Sequence, residues 1–477
     1  MTIKKRKAYE FEIIDLAFGG KGLAKPDGFP VFIDRALPGD KVFAKVVKKK
    51  KNFAEAKLIE YVEKSSKRGK PRCEYADYCG GCKWQALSYE TQLEYKKNHV
   101  LESLEHIAKL HDIKVNDVMP SPLVYQFRNK MEFSCSDRRW LLPEELNNPD
   151  IKKDFGLGLH VPGTFDQVID LKRCEIQPEL GNKIMEYVRN FIKESGLKAY
   201  GLRSHEGFWR FLMLRHSSFF DKWMVNIVTT EENDELLGKL SHGLIKTFPG
   251  IDSVINNITS KKAGIAIGEY EKVLAGKSYI KEKLGNFTFI ISANSFFQTN
   301  TKAAENLYSI VSKYAALTGK ERVLDLYSGT GTIPIWLSSD AKEIVGIEIV
   351  ESAVNDARKN AEINKITNLK FLTGDIKDIL PILSRAGDDH AYDYHIDNKI
   401  DIIIIDPPRA GMHKDVLFEV LKLLPEKIVY VSCNPATLAR DLEILCTKYN
   451  ILEVQPVDMF PHTFHIESVA NLVLKKA

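Results

Sequence analysis

No stretch of this 477-residue chain is apolar for long enough to cross a bilayer, which takes about 20 residues; the isoleucine-rich run at 402–405 is far too short. That absence excludes helical membrane spans. The basic start Met1-Thr2-Ile3-Lys4-Lys5-Arg6-Lys7 has no apolar stretch behind it, so no secretory leader is expected. Cysteines are few, seven in all, and without an export signal they point to thiols, metal ligands or catalysis rather than disulfides. The expected compartment is the cytoplasm and the expected state a monomer. No internal repeat is found, which excludes a solenoid. What remains is ordinary for a soluble globular protein, with 44% hydrophobic and 28% charged residues. The length predicts two to four domains.

The net charge of +4 hides an asymmetry: residues 1–72 carry 19 Lys and Arg against 9 Asp and Glu, and the rest is net acidic. A basic module of this kind suits a polyanion. Residues 8–63 alternate short apolar runs with turn signals, predicting strands at 11–16, 31–33, 42–47 and 54–61 and a small OB-like β-barrel. Lys48, Lys49, Lys50 and Lys51 would form a basic turn between two of these strands. Through Gly19-Gly20-Lys21-Gly22 and Pro38-Gly39-Asp40, the segment resembles a TRAM domain, a small barrel attached to RNA-modifying enzymes.

After a basic linker come Cys73, Cys79 and Cys82, with Cys174 as a fourth candidate. Three thiols in ten residues, two of them spaced C-x2-C, predict a metal or cluster site. Spacing does not separate tetrahedral zinc from a [4Fe–4S] cluster. Cys135 is a poorer ligand because it lies inside a strand-like run, and Cys446 reads as core. Residues 86–110 predict a helix, and a β-rich region follows to about 291, interrupted by a polar surface loop at 142–153.

From Arg322 the pattern becomes strand, Gly-rich turn, helix: Val323-Leu324-Asp325-Leu326-Tyr327-Ser328-Gly329-Thr330-Gly331-Thr332. A second strand ends at Glu348, placed to grip ribose hydroxyls. The dinucleotide fingerprint lacks its third glycine; Pro334 stands there, which argues against NAD. Further strands end at Asp375 and at Asp406-Pro407-Pro408-Arg409, so acidic residues recur along one sheet's carboxyl edge. The run 427–432 reads as a buried strand ending at Cys433, and Asn434-Pro435 opens a helix. A thiol near the free N–H groups of a helix start is expected to have a lowered pKa.

Five motifs together identify a resemblance to the RNA uracil-5-methyltransferases that use S-adenosylmethionine. They are Phe296-Phe297-Gln298-Thr299-Asn300, the segment 324–331, Asp406-Pro407-Pro408-Arg409, Ser432-Cys433-Asn434-Pro435 and His465-Ile466-Glu467-Ser468. The resemblance covers nearly the whole chain. It implies an α/β Rossmann-like methyltransferase domain (292–477), an N-terminal TRAM barrel that binds RNA (1–65) and a β-rich central iron–sulfur domain (66–291). By resemblance, Cys433 is the nucleophile and Glu467 the base. Gln298, Tyr327, Thr332, Glu348, Asp375 and Asp406 line the S-adenosylmethionine site, and Cys73, Cys79, Cys82 and Cys174 hold a [4Fe–4S] cluster. The family more usually has Phe at position 327 and Asn at 332, and an insertion at 385–399 is longer and more polar than its pattern.

The chemistry explains these residue types. Uracil C5 is a poor nucleophile until a thiolate adds at C6 and makes an enolate. After methylation a base must remove the C5 proton, and apolar neighbours such as Phe464 and Ile466 would raise a carboxylate's pKa toward that task. The base must be unstacked to be reached. The TRAM segment and cysteine set resemble the branch acting on 23S ribosomal RNA; the transfer-RNA branch typically lacks both. The alternatives are the same reaction on transfer RNA and an inactive, metal-stabilised RNA-binding protein. A radical S-adenosylmethionine enzyme is set aside, since the triad is C-x5-C-x2-C rather than C-x3-C-x2-C.

Overall fold

The computed structural model describes residues 3–262, 264–384 and 399–476; most of the 385–399 insertion lies outside them. At the N-terminus one six-stranded sheet has the order Ala8–Glu12, Lys41–Lys49, Ala54–Glu63, Val31–Ile33, Lys21–Ala24, Asp15–Ala17. The predicted strand at 11–16 is broken in two. Ile13 leaves the ladder there, its N–H donating to Asp40 O at 2.9 Å and its carbonyl accepting from Gly39 N–H at 2.8 Å. The strands at the two ends of the order, Ala8–Glu12 and Asp15–Ala17, are successive segments of one bent chain path, which bonds Asp40 on one side and, through Ile14 N–H to Leu23 O at 2.9 Å, the strand Lys21–Ala24 on the other. Its core holds Phe11, Ile13, Val31, Ile33, Val42 and Val46. The lysine turn shifts too. Lys48 and Lys49 belong to the strand, and the turn closes at Lys50 N–H to Phe53 O, 2.8 Å.

The central sheet runs Tyr270–Gly276, Ile251–Ile258, Lys222–Thr229, Trp209–Ser217, Lys130–Ser136, Gly156–Gly158. Strict alternation puts Leu212, Leu214, Val225 and Ile227 on one face. There they pack against helices Glu179–Glu194 and Asp234–Thr247 through Ile184, Val188, Leu240 and Leu244.

The C-terminal sheet has seven strands in the order Leu369–Thr373, Glu343–Glu348, Arg322–Leu326, Ile402–Ile405, Lys427–Ser432, Glu467–Leu474, Tyr449–Val457. The first five are parallel; Glu467–Leu474 runs antiparallel to both its neighbours. Near-continuous apolar runs such as Ile402–Ile405 are buried because helices cover both faces. This is a doubly wound methyltransferase fold.

The helix Tyr89–His106, shorter than the predicted 86–110, lies outside this sheet in sequence but packs into its core through Val100 and Leu104. So does the hairpin Tyr279–Leu284/Phe287–Ser292, through Ile280 and Phe289. Lys96 of that helix is fully buried, its Nζ 2.6 Å from Asp458 Oδ1 and 3.0 Å from Phe460 O. Tyr89 OH donates to Asp458 Oδ2 at 2.8 Å, and His462 N–H donates to Gln92 Oε1 at 2.8 Å. The segment leading to Glu467 is thereby anchored on the helix.

Candidate active site

The strand Arg322–Leu326 ends in a turn that has no room for a side chain at Gly331. A Cβ on Gly331 would meet Phe371 at 2.9 Å and Ala357 at 3.0 Å, and its φ of 78° is itself left-handed. Tyr327 adopts φ 66°, a strained choice for an aromatic residue. Across the turn, Glu348 is locked in place: Oε2 accepts from Gly329 N–H at 3.0 Å and Oε1 from Val350 N–H at 2.9 Å. Asp375 sits one strand further along, its Oδ1 capping Lys377 N–H at 2.9 Å, while Gly374 N–H donates to Glu348 O.

Tyr308, which the sequence did not single out, ties two predicted residues together. Its hydroxyl lies 2.9 Å from Thr332 Oγ1 and also bonds the Gln298 side chain. Gln298 is in turn held from the central sheet, where Asn129 Nδ2 donates to its carbonyl at 2.9 Å. Asp325 is a second unforeseen member. It is buried, its Oδ1 has no partner, and burial with Asp406 and Glu348 nearby pushes its carboxyl well up. The signal was present, since a carboxylate in an apolar strand needs a reason. Asp406 ends the next strand, where enclosure by the cleft pushes it up to about 7. An orphaned carboxyl oxygen, a locked acid and open space above Gly329 fit a polar ligand with hydroxyl and amino groups, as S-adenosylmethionine is.

Register brings Cys433 and Glu467 together. Ser432 pairs with Ser468 across the antiparallel strands, so the next rung holds these two residues. Glu467 is buried at 6% exposure, and burial, with Asp406 nearby, pushes it up to about 8. The raised carboxyl pKa expected from apolar neighbours is therefore found. The lowered thiol pKa is not. Burial first, then the carboxylates of Glu467 and Asp406, push the Cys433 thiol up to about 12, against the pull of Arg409. The helix does begin at Pro435, but the Asn434 side chain accepts from Ala436 N–H at 3.1 Å and occupies the helix start. Arg409, in the loop after Asp406, is felt by Cys433, Glu467 and His465 alike. His465 is pushed down to about 4 by burial and stays neutral.

The four cysteines form a separate nest. Burial pushes Cys73 up to about 11 and Cys79, Cys82 and Cys174 up to about 12, and each thiol feels at least one of the others. Gly81 N–H donates to Cys79 Sγ at 3.4 Å, and Gln85 bonds both Cys82 and Cys73 N–H. Among the described residues no group of three or more His, Cys, Asp or Glu side chains is arranged to hold a single metal ion. Cys135 lies inside the strand Lys130–Ser136, buried in the central core. No helix among the described residues is long and apolar enough to cross a membrane.

Comparison with known proteins agrees with this geometry. The family described as tRNA (Uracil-5-)-methyltransferase matches residues 253–476, and the TRAM domain matches residues 4–59. A Chlorobaculum tepidum protein described as an uncharacterized RNA methyltransferase is 44% identical over 98% of this chain and 96% of its own. A Bacteroides thetaiotaomicron protein with the same description is 40% identical over 96% of this chain and all of its own. Among solved structures, the Pyrococcus abyssi tRNA (uracil-54, C5)-methyltransferase in complex with S-adenosyl-L-homocysteine is similar, with TM-score 0.75 and 30% identity. That likeness covers 97% of this chain and 99% of that one. The chain thus belongs to the TRAM-containing RNA uracil-5-methyltransferase family, and is an S-adenosylmethionine-dependent RNA methyltransferase.

Proposed function

We propose that the enzyme methylates C5 of a uridine in 23S ribosomal RNA through a covalent adduct between Cys433 and C6 of the base. The observation that carries the reading is the place of Cys433 and Glu467, each one residue beyond the paired Ser432 and Ser468 and close enough for the Glu467 charge to act on the thiol. The Cys433 thiol, pushed up by burial, passes its proton to the Asp406 carboxylate as sulfur bonds to C6, and the electrons of the C5–C6 double bond move onto O4; the proton returns to sulfur when the Cys433–C6 bond breaks. Arg409 supplies positive charge near the sulfur. Gln298, Tyr327, Thr332, Glu348, Asp375 and Asp406, with Asp325, would hold S-adenosylmethionine, which would supply the methyl group for C5 and be left as the thioether S-adenosylhomocysteine. Glu467, titrating near 8, then takes the C5 proton; the C5–C6 double bond re-forms and the Cys433–C6 bond breaks. The single-stranded or flipped state of the uridine follows from the need to reach C6 from below the ring.

We take the thiol nest as the place of a [4Fe–4S] cluster that Cys73, Cys79, Cys82 and Cys174 would hold, because each thiol feels at least one of the others and Cys79 Sγ accepts from a backbone N–H. Its role is structural, since methyl transfer needs no electron. The TRAM module and the cysteine set favour ribosomal RNA. A second reading, the same reaction on transfer RNA, is favoured by the Pyrococcus abyssi likeness. It extends over 97% of this chain, so the added modules are a weaker marker of substrate than the sequence suggested. Mass-spectrometric mapping of 5-methyluridine in ribosomal and transfer RNA, with and without the gene, decides between them. Loss of the mark from 23S RNA is the expected result, and loss from transfer RNA alone would overturn it.

A further inference from the structure

The central sheet has two unlike faces. Helices cover the face of Leu212 and Leu214. On the opposite face, register aligns Phe211 with Ser134, Met213 with Glu132 and Arg215 with Lys130. The Arg215 end is closed against the catalytic part of the chain, where Nη2 donates to Ser295 O at 2.8 Å. The Phe211 end instead opens into a cavity of about 360 Å³ lined by Ser134, His160, Phe165, Tyr200, Phe211 and Lys262.

This cavity has the walls of a base-stacking site. Phe165 is 63% exposed, with the Arg203 guanidinium 5.4 Å from its ring centroid. The Tyr200 ring carries the Arg210 guanidinium at 4.3 Å. His160 Nε2 and Ser134 Oγ, 3.0 Å apart, supply polar edges. Unstacked RNA bases are recognised by just these partners: aromatic faces, guanidinium planes and a few hydrogen-bonding groups. The volume falls in the range of small-ligand pockets and accommodates one nucleobase.

Position supplies the second argument. Phe211 and Arg215 are four residues apart on one strand, a reach of about 14 Å at roughly 3.4 Å per residue. Arg215 contacts Ser295, which directly precedes the exposed Phe296 and the cofactor-site residue Gln298. That interval is within the reach of a short single strand of RNA. We propose that this cavity receives an unstacked base of the substrate RNA, flanking the methylated uridine. The inference rests on the RNA uracil methylation reading and adds a second point of RNA recognition on the central sheet.

The test uses full-length enzyme and an RNA that the wild type has been seen to methylate at C5, so failure of the parent reading would show before any variant is made. Phe165→Ala, at an exposed position, should raise KM and the RNA Kd by about 5- to 150-fold, the size of one base–aromatic stack. Turnover at saturating RNA should not change. Phe219→Ala, at another exposed aromatic of the central region (59% exposed), should change neither. The RNA is then scanned with abasic nucleotides on both sides of the target. At one position the abasic loss and the Phe165→Ala loss should fail to add, the sign of a direct contact. An unchanged KM for Phe165→Ala, or additivity at every position, would overturn the proposal.

Discussion

Burial pushes the thiols of Cys433 and Cys79 alike to about 12, yet the regions around them are built oppositely. Cys433 stands at the end of a strand among groups of both signs: Glu467, Asp406 and Arg409. Cys79 stands among other thiols, a glycine N–H and apolar side chains, and the Arg35 charge is the weakest influence on it. A thiol ringed by ionisable groups can hand its proton on and recover it. A thiol ringed by thiols can be ionised only by a bound positive centre. On the proposed reading, the same shift marks a reactive site in one region and a holding site in the other, and the neighbours decide which.

Substitution should separate the two regions cleanly. Cys433→Ala should abolish turnover, by about 10⁴- to 10⁶-fold as for other covalent nucleophiles, while leaving iron content and thermal midpoint unchanged. Cys79→Ser should do the reverse. Wild-type protein purified without oxygen should be brown, with about four iron and four sulfide per chain. Cys79→Ser should lose that iron and several degrees of thermal midpoint, and keep measurable turnover at low temperature. Stoichiometric zinc and no visible absorption in the wild type would dissolve the contrast.

The next effect is one of pH. Glu467 is raised from 4.5 to about 8, so it is a carboxylate, and a usable base, only toward and above that value. Turnover should rise about tenfold per pH unit below 8 and level off above it. Glu467→Gln should lack that limb and run about 10²- to 10⁴-fold slower. The same shift has a stability sign: the contribution of the protonated group is complete below the ordinary value near 4.5 and is lost as pH rises through 8. A flat wild-type profile from pH 6 to 9 would remove Glu467 from the rate-limiting step.

The smallest effect is expected at the basic N-terminal sheet. Lys48 is paired with Glu55 at 2.7 Å, and Lys49 Nζ donates to Ile3 O at 2.7 Å, whereas Lys50 and Lys51 stand exposed at the turn. Replacing Lys50 and Lys51 by Ser should lower the slope of log affinity against log salt by about 1.4, at roughly 0.7 per lost single-strand phosphate contact. Replacing Lys48 and Lys49 should change it less.

The parallel part of the catalytic sheet was legible because its strands are short apolar runs ending in Gly, Asp or Asn-Pro, and the five strands between Arg322 and Ser432 end within two residues of where their patterns place them; the antiparallel pair Tyr449–Val457 and Glu467–Leu474 was not placed. The acidic ends at Glu348, Asp375 and Asp406 were legible for the same reason. Asp325 was legible as a carboxylate in an apolar strand but was not singled out; Tyr308 was not legible, because its meaning comes from burial and from its partner Thr332. The Cys433 thiol was misjudged because a helix start read in sequence takes no account of Asn434 capping it or of two carboxylates arriving from other strands. In the N-terminal module, Gly and Pro turns located the strands, but their order in the sheet depends on pairing between segments far apart in sequence, which no local pattern encodes.

The most direct measurement of the account is a denaturing gel of enzyme mixed with RNA and methyl-labelled S-adenosylmethionine. Glu467→Gln should form the Cys433–C6 bond and receive the methyl group, then stall with no acceptor for the C5 proton, giving a shifted band that carries the label. Cys433→Ala should give no shifted band. A labelled adduct in Cys433→Ala, or normal release of methylated RNA by Glu467→Gln, would contradict the division of labour between the two residues on that rung.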